Sequence, residues 1–198
     1  MFVEQKFNIP ELKGISKKNI EEHLKLYAGY VKHANLIVEH IAELTQTNAE
    51  KYAYEINELR RRFGFEFNGM RNHEVYFMSF ENGPKPLLQN GDFAKAVGQA
   101  WGSFDAWLAE FKAIALTRGI GWAMLYFDLV SKQLLHAWVD EQHLGQLQNC
   151  PLILGLDMWE HAFVADYQPS GKKNYIEDFF ANLNWSVIEQ NLVAATAK

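Results

Sequence analysis

Pro151-Leu152-Ile153-Leu154-Gly155-Leu156-Asp157-Met158-Trp159-Glu160-His161-Ala162-Phe163 is the stretch on which the reading of this chain turns. Its first half is an apolar run, which predicts a short buried strand over 152–156. The strand leads into a carboxylate, Asp157, and a histidine, His161, follows four residues later around a turn. Asp offers a hard anionic oxygen and His a neutral imidazole nitrogen. That mixture suits a borderline metal such as manganese, iron or zinc. Trp159 and Phe163 frame the pair, so an ion held there would sit in a partly dry pocket.

The chain around this stretch has 198 residues, of which 48% are hydrophobic and 22% charged. That is enough apolar material for a sizeable core. A formal net charge of -5 argues against a general nucleic-acid binder, so any attraction of an anion has to be local. The single cysteine, Cys150, excludes an intramolecular disulfide. The first twenty residues hold no apolar segment of signal-peptide length, and no later run is long enough to cross a bilayer. The expectation is a soluble, cytoplasmic protein with neither nucleic acid nor membrane as partner.

Upstream, Pro10 and Gly14 break an extended leading segment. Ser16 is a candidate N-cap, and apolar residues then recur at helical spacing from Ile20 to Leu44. A second helix is expected over 49–63, ending near Gly64, and a third segment over 68–80. The run ENGPKPLLQNG, residues 81–91, holds two prolines and two glycines and marks the boundary between two units. Beyond it, helices are expected over 93–100 and 103–116, with Ser103 as a cap. Strands follow over 122–129 and 133–139 as a hairpin, then the strand at 152–156. Helices over 175–183 and 185–195 close the chain. The fold class is α+β: an N-terminal helical hairpin domain, residues 1–84, then an α/β domain, residues 85–198, with a small three-stranded antiparallel sheet.

The string DMWEHAF resembles the DxWEHAY signature of the iron/manganese superoxide dismutases, and the resemblance extends over most of the chain. It implies a metal site built from both domains. Asp157 and His161 supply two ligands. His73, in Arg71-Asn72-His73-Glu74-Val75-Tyr76-Phe77, resembles the family's NHxxYW element and supplies a third. His23, on the first helix, supplies the fourth. The implied cofactor is one manganese or iron ion per subunit. The family spaces the first ligand and a gateway tyrosine by eight residues. Here His23 and Tyr30 are seven apart, with His33 as the fallback ligand.

The resemblance also implies roles around the metal. Tyr30 stands at the substrate mouth, and Phe77, Trp122 and Trp159 form an aromatic cage. His143, in Asp140-Glu141-Gln142-His143, is the expected partner of the active-site solvent, with Gln142 or Gln146 as second choices. Gly69 occupies the place where iron-type members often carry Gln, and Gly155 resembles the manganese type. Glu160 matches the residue that bonds across a two-fold interface to the partner's copy of the ligand at 161, which implies a homodimer. Leu26 and Val164 stand where the family has a His–Tyr interface pair. Lys25 and Lys172 match basic residues near the mouth. The implied activity is dismutation of superoxide by redox cycling at the metal. The alternative readings are a metal-free, non-enzymatic relative of this fold, and a non-haem hydrolase or oxygenase using the same ligands.

Overall fold

The computed structural model describes residues 1–197. The chain begins as an extended segment, then forms α1 (Lys17–Asn48). The Ser16 hydroxyl accepts a hydrogen bond from the Asn19 amide at 3.1 Å, satisfying one of the free donors at the helix start. At 32 residues, α1 is roughly 48 Å long. A short link returns the chain along α2 (Ala53–Met78), which packs against α1 as a helical hairpin.

α2 departs from the sequence expectation. It is one continuous helix, with no break at Gly64 and no separate segment after it. A glycine within a helix costs about 1 kcal/mol relative to alanine, which packing along a long partner helix readily offsets. The bare face at Gly64 is occupied: a Cβ built there would lie 3.6 Å from the His143 ring.

The rest of the chain forms α3 (Asp92–Trp101), α4 (Phe104–Ala115), β1 (Gly121–Phe127), β2 (Leu134–Asp140), β3 (Leu152–Asp157), α5 (Lys172–Ala181) and α6 (Trp185–Thr196), with short 3-10 turns at Glu160–Ala162 and Pro169–Gly171. Ser103 caps α4 as Ser16 caps α1, accepting from the Ala106 amide at 3.1 Å. The three strands make one antiparallel sheet in the order β2-β1-β3. β1 is buried at all seven positions, which a strand can be only when both faces are covered. α4 and α6 pack against β1, and α2 and α6 against β3.

Two features of this frame place the site. The β1–β3 register sets Trp122 opposite Asp157. α2 lies against β3, which brings the His73 face of the helix hairpin to the end of the strand. One aromatic-rich core therefore runs from the hairpin through the sheet, and the polar cluster described next is embedded in it.

Candidate metal centre

His23, His73, Asp157 and His161 converge, with one ligand atom from each lying within 4.8 Å of every other. Three are fully buried and His161 is 22% exposed. They come from α1, α2, the end of β3 and the 3-10 turn after it. Helix geometry explains the presence of His23. Seven residues make about two helical turns, so His23 and Tyr30 share one face of an uninterrupted α-helix. The shortened spacing therefore keeps both residues on the site. His33 lies on the exposed surface of the same helix.

The carboxylate is held in a fixed orientation. Asp157 Oδ1 accepts the Trp159 backbone N–H at 2.8 Å. Its other oxygen, Oδ2, faces the histidines: His23 Nε2 at 3.2 Å, His161 Nε2 at 3.2 Å and His73 Nε2 at 3.5 Å. The Asp157 carbonyl accepts from the Tyr175 hydroxyl at 3.0 Å, which ties the strand end to α5.

The donor set fits a cation. His73 Nδ1 lies 2.6 Å from the Gly69 carbonyl oxygen. A carbonyl only accepts, so Nδ1 carries the ring proton and Nε2 presents a lone pair. That lone pair is buried, has no hydrogen-bond partner and faces an Asp157 oxygen that is itself a lone-pair donor. A cation between the two converts repulsion into coordination. Burial, then the neighbouring His23, push the His73 imidazole down to about 3, so it is neutral at ordinary pH and able to ligate. Burial likewise lowers His23, opposed by its hydrogen bond to Asp157. Burial by itself would raise the Asp157 carboxyl; the imidazoles of His161 and His23 outweigh it and hold the group ionised, well below the usual carboxylate range.

An aromatic shell surrounds the cluster. Phe77 and Tyr76 each lie 5.0 Å from the His23 ring, Trp122 lies 5.1 Å from His73, and Trp159 stacks on His161 at 5.8 Å. Tyr30 covers the open side, its ring 5.0 Å from His73. It sits where a side chain at 69 would be: a Cβ on Gly69 would come within 2.5 Å of the Tyr30 ring.

Gln142, rather than His143, reaches Tyr30. Trp122 Nε1, which can only donate, lies 3.0 Å from Gln142 Oε1, and this fixes the amide orientation. Gln142 Nε2 then donates to the Tyr30 hydroxyl at 3.0 Å. His143 turns outward from this line and packs on Phe65 at 5.7 Å, with its Nδ1 buried and unpartnered. Gln146 serves the frame, donating to Asn72 Oδ1 at 3.0 Å, while Asn72 donates to the Gln142 carbonyl at 2.9 Å. Glu141 has a positive φ of 51°, which redirects the chain where a one-residue shift decides which side chain points inward.

The amino-acid sequence of this chain matches known proteins over most of its length. Residues 89–191, just over half of the chain, match the model for "Iron/manganese superoxide dismutases, C-terminal domain". The chain is 35% identical over 183 residues to a protein of Mycolicibacterium paratuberculosis named as a manganese superoxide dismutase, with 89% of this chain and 83% of that protein covered. The chain belongs to the iron/manganese superoxide dismutase family. A second relative in the family, from Mycobacterium tuberculosis and named as an iron superoxide dismutase, is 36% identical over 180 residues with the same coverage. A third, from Mycolicibacterium fortuitum, is named for manganese and is 35% identical over 183 residues. Relatives named for either metal thus stand at nearly equal distance.

The sequence reading left three neighbours of the site unassigned. Arg62, Phe65 and Glu66 lie on the face of α2 that leads to Gly69 and His73. Counting back from His73 in helical steps would have found them.

Proposed function

We propose that this chain is a superoxide dismutase using one iron or manganese ion per subunit, held by His23, His73, Asp157 and His161. The buried, partnerless lone pair of His73 Nε2 facing Asp157 Oδ2 carries this reading. In the reaction, one superoxide loses an electron and leaves as oxygen, a second gains it with two protons and leaves as hydrogen peroxide, and bound iron or manganese supplies the electron relay.

The surrounding residues handle position and protons. The Trp122–Gln142–Tyr30 chain is directional. Because Gln142 donates to the Tyr30 oxygen, the phenolic proton of Tyr30 remains free to be given into the cavity. Burial, then the charges of Asp157 and Glu66, push that phenol well above its usual range, so Tyr30 keeps its proton between turnovers. Gln142 therefore takes the role that the sequence assigned to His143, and Tyr30 is the group that presents the proton. The aromatic shell restricts water and favours a small substrate.

The same reading extends to the assembly. Leu26 on α1 and Val164 after the 3-10 turn are each 44% exposed, on elements that pack together beside the partly exposed His161. Two exposed apolar residues at that place support a two-fold dimer, with Glu160 reaching the partner's ligand. A cytoplasmic antioxidant role and a division into units 1–84 and 85–198 belong to this reading. Among the described residues no helix is long and apolar enough to cross a membrane.

Neither alternative has an observation of its own. The shortened His23–Tyr30 spacing is the sequence feature that favours the metal-free alternative, and His23 stands in the cluster. An oxygenase ordinarily uses two His and one carboxylate, and this cluster has three His. The testing experiment is superoxide consumption followed directly by its ultraviolet absorbance, on protein loaded separately with iron and manganese. Catalytic decay with at least one metal is expected. Correctly folded, metal-loaded protein without catalysis in both arms contradicts the reading.

A further inference from the structure

Outside Tyr30 the surface opens into a cavity of about 450 Å³, lined among others by Tyr30, Arg62, Phe65, Glu66 and Trp159. The rings of Tyr30 and Trp159 touch His73 and His161 on their other sides, so this cavity is the approach to the cluster. A carboxylate lies in its wall: the Glu66 side chain is only 9% exposed. An anion passing such a group is repelled, and the low-dielectric wall strengthens the effect.

Arg62 answers that charge. Its Nε donates to Glu66 Oε1 at 2.8 Å and its Nη2 lies 2.8 Å from the same oxygen. Its guanidinium lies over the Phe65 ring with Cζ 3.7 Å from the centroid. Phe65 in turn touches Tyr30 at 5.9 Å and Trp159 at 6.4 Å. Half of the Arg62 side chain remains exposed to the cavity and solvent. Stacking and pairing thus hold one positive charge in a defined place at the mouth. Lys25 also lines the cavity, but it is largely exposed and paired with Glu22 at 2.7 Å. Lys172 lies over the Phe163 ring at 5.8 Å.

We propose that Arg62, clamped on Phe65 and paired with Glu66, is a positioning residue that sets how readily small monovalent anions reach the metal cluster. It does so by cancelling the repulsion of the Glu66 carboxylate. The inference rests on the superoxide reading for the identity of the physiological anion, whereas anion admission itself can be read without turnover.

The probe is azide, a monovalent anion that ligates trivalent iron and changes its visible absorption. Iron-loaded parent protein and the variants Arg62→Gln, Glu66→Gln, Arg62→Gln/Glu66→Gln and Arg62→Lys are titrated with azide at low and high salt. Arg62→Gln is expected to weaken azide binding about three- to tenfold at low salt, the loss shrinking to less than about twofold near 0.5 M salt as the charges are screened. Glu66→Gln is expected to tighten binding, and the double variant to return to within about twofold of the parent. Arg62→Lys retains the charge without the planar stack and is expected to fall between parent and Arg62→Gln. This last variant and the salt series separate an electrostatic role from a merely structural one.

Unchanged azide binding in Arg62→Gln overturns the inference, as does a loss that neither salt nor Glu66→Gln relieves. Those results leave the dismutase reading intact if the parent still consumes superoxide. A parent that shows the expected azide pattern without consuming superoxide supports the inference and defeats the dismutase reading instead.

Discussion

At Gly69 there is no room for a side chain, because the Tyr30 ring occupies the space a Cβ would need. Gly69→Ala is expected to push Tyr30 out of its hydrogen bond with Gln142, at a stability cost of about 1–3 kcal/mol from overpacking. The checks are thermal unfolding together with superoxide consumption: activity is expected to fall while metal content stays near the parent value. Titration supplies a second prediction at this scale. His73 is depressed to about 3 and His23 is lowered as well, both by burial. In the unfolded chain each returns to about 6.5. Their stabilising contribution to the metal-free protein is therefore complete above about pH 6.5 and is lost as pH falls toward their folded values, at up to about 1.4 kcal/mol per pH unit for each histidine. Metal-free protein followed by denaturant unfolding across pH 7 to 4 is expected to lose stability steeply over this window. A flat profile would mean that the histidines are not buried together. The residues most legible in the sequence lie here. Asp157 and His161 form one local string and needed no tertiary knowledge. Gln142 did, because the left-handed Glu141 breaks the side-chain alternation that would otherwise count inward positions.

At the scale of single elements, the uninterrupted α1 decides which histidine reaches the cluster. A spacing of seven places His23 and Tyr30 on one face with His23 in the cluster, whereas His33, one turn beyond Tyr30, is exposed at the rim of the cavity. His23→Ala is therefore expected to lose metal more than about tenfold, whereas His33→Ala keeps it, as read by metal content after identical loading. Metal retained in His23→Ala and lost in His33→Ala would reverse the assignment. From the sequence, the missing residue relative to the family looked like damage; on the helix it is a register that a regular α-helix supports without distortion. α2 shows the opposite case. Gly64 read as a helix end because glycine is a weak helix former. Its neighbours continue the helix because α1 and the His143 ring lie against that stretch, and such support is invisible to local propensity. The caps Ser16 and Ser103 were legible because the signal and the bond span only three residues.

At the scale of the whole molecule, the hairpin, the sheet and the helices behind it share one core, and the four-residue cluster lies where the hairpin meets the end of β3. Two residues of the cluster come from the hairpin and two from the sheet side, so a metal held by all four would also link them. Metal removal is expected to lower the unfolding temperature, with the shift restored by re-addition. Leu26 and Val164 give the surface prediction: Leu26→Glu is expected to shift the protein from dimer to monomer in sedimentation velocity, with metal content unchanged. A parent that sediments as a monomer at the same concentration would remove the dimer from the account. The pairing of β1 with β2 followed from element types in the sequence, and the meeting of helical hairpin and strand end from the family resemblance, whereas the strand order and the facing of Glu66 and Arg62 into the approach required the packed structure. The central claim is that His23, His73, Asp157 and His161 hold one redox metal. The most direct measurement is metal content per chain, by mass spectrometry, of parent and Asp157→Ala protein purified and loaded side by side. The account predicts close to one iron or manganese ion in the parent and almost none in the variant; a parent without metal, or a variant that keeps it, would contradict the account.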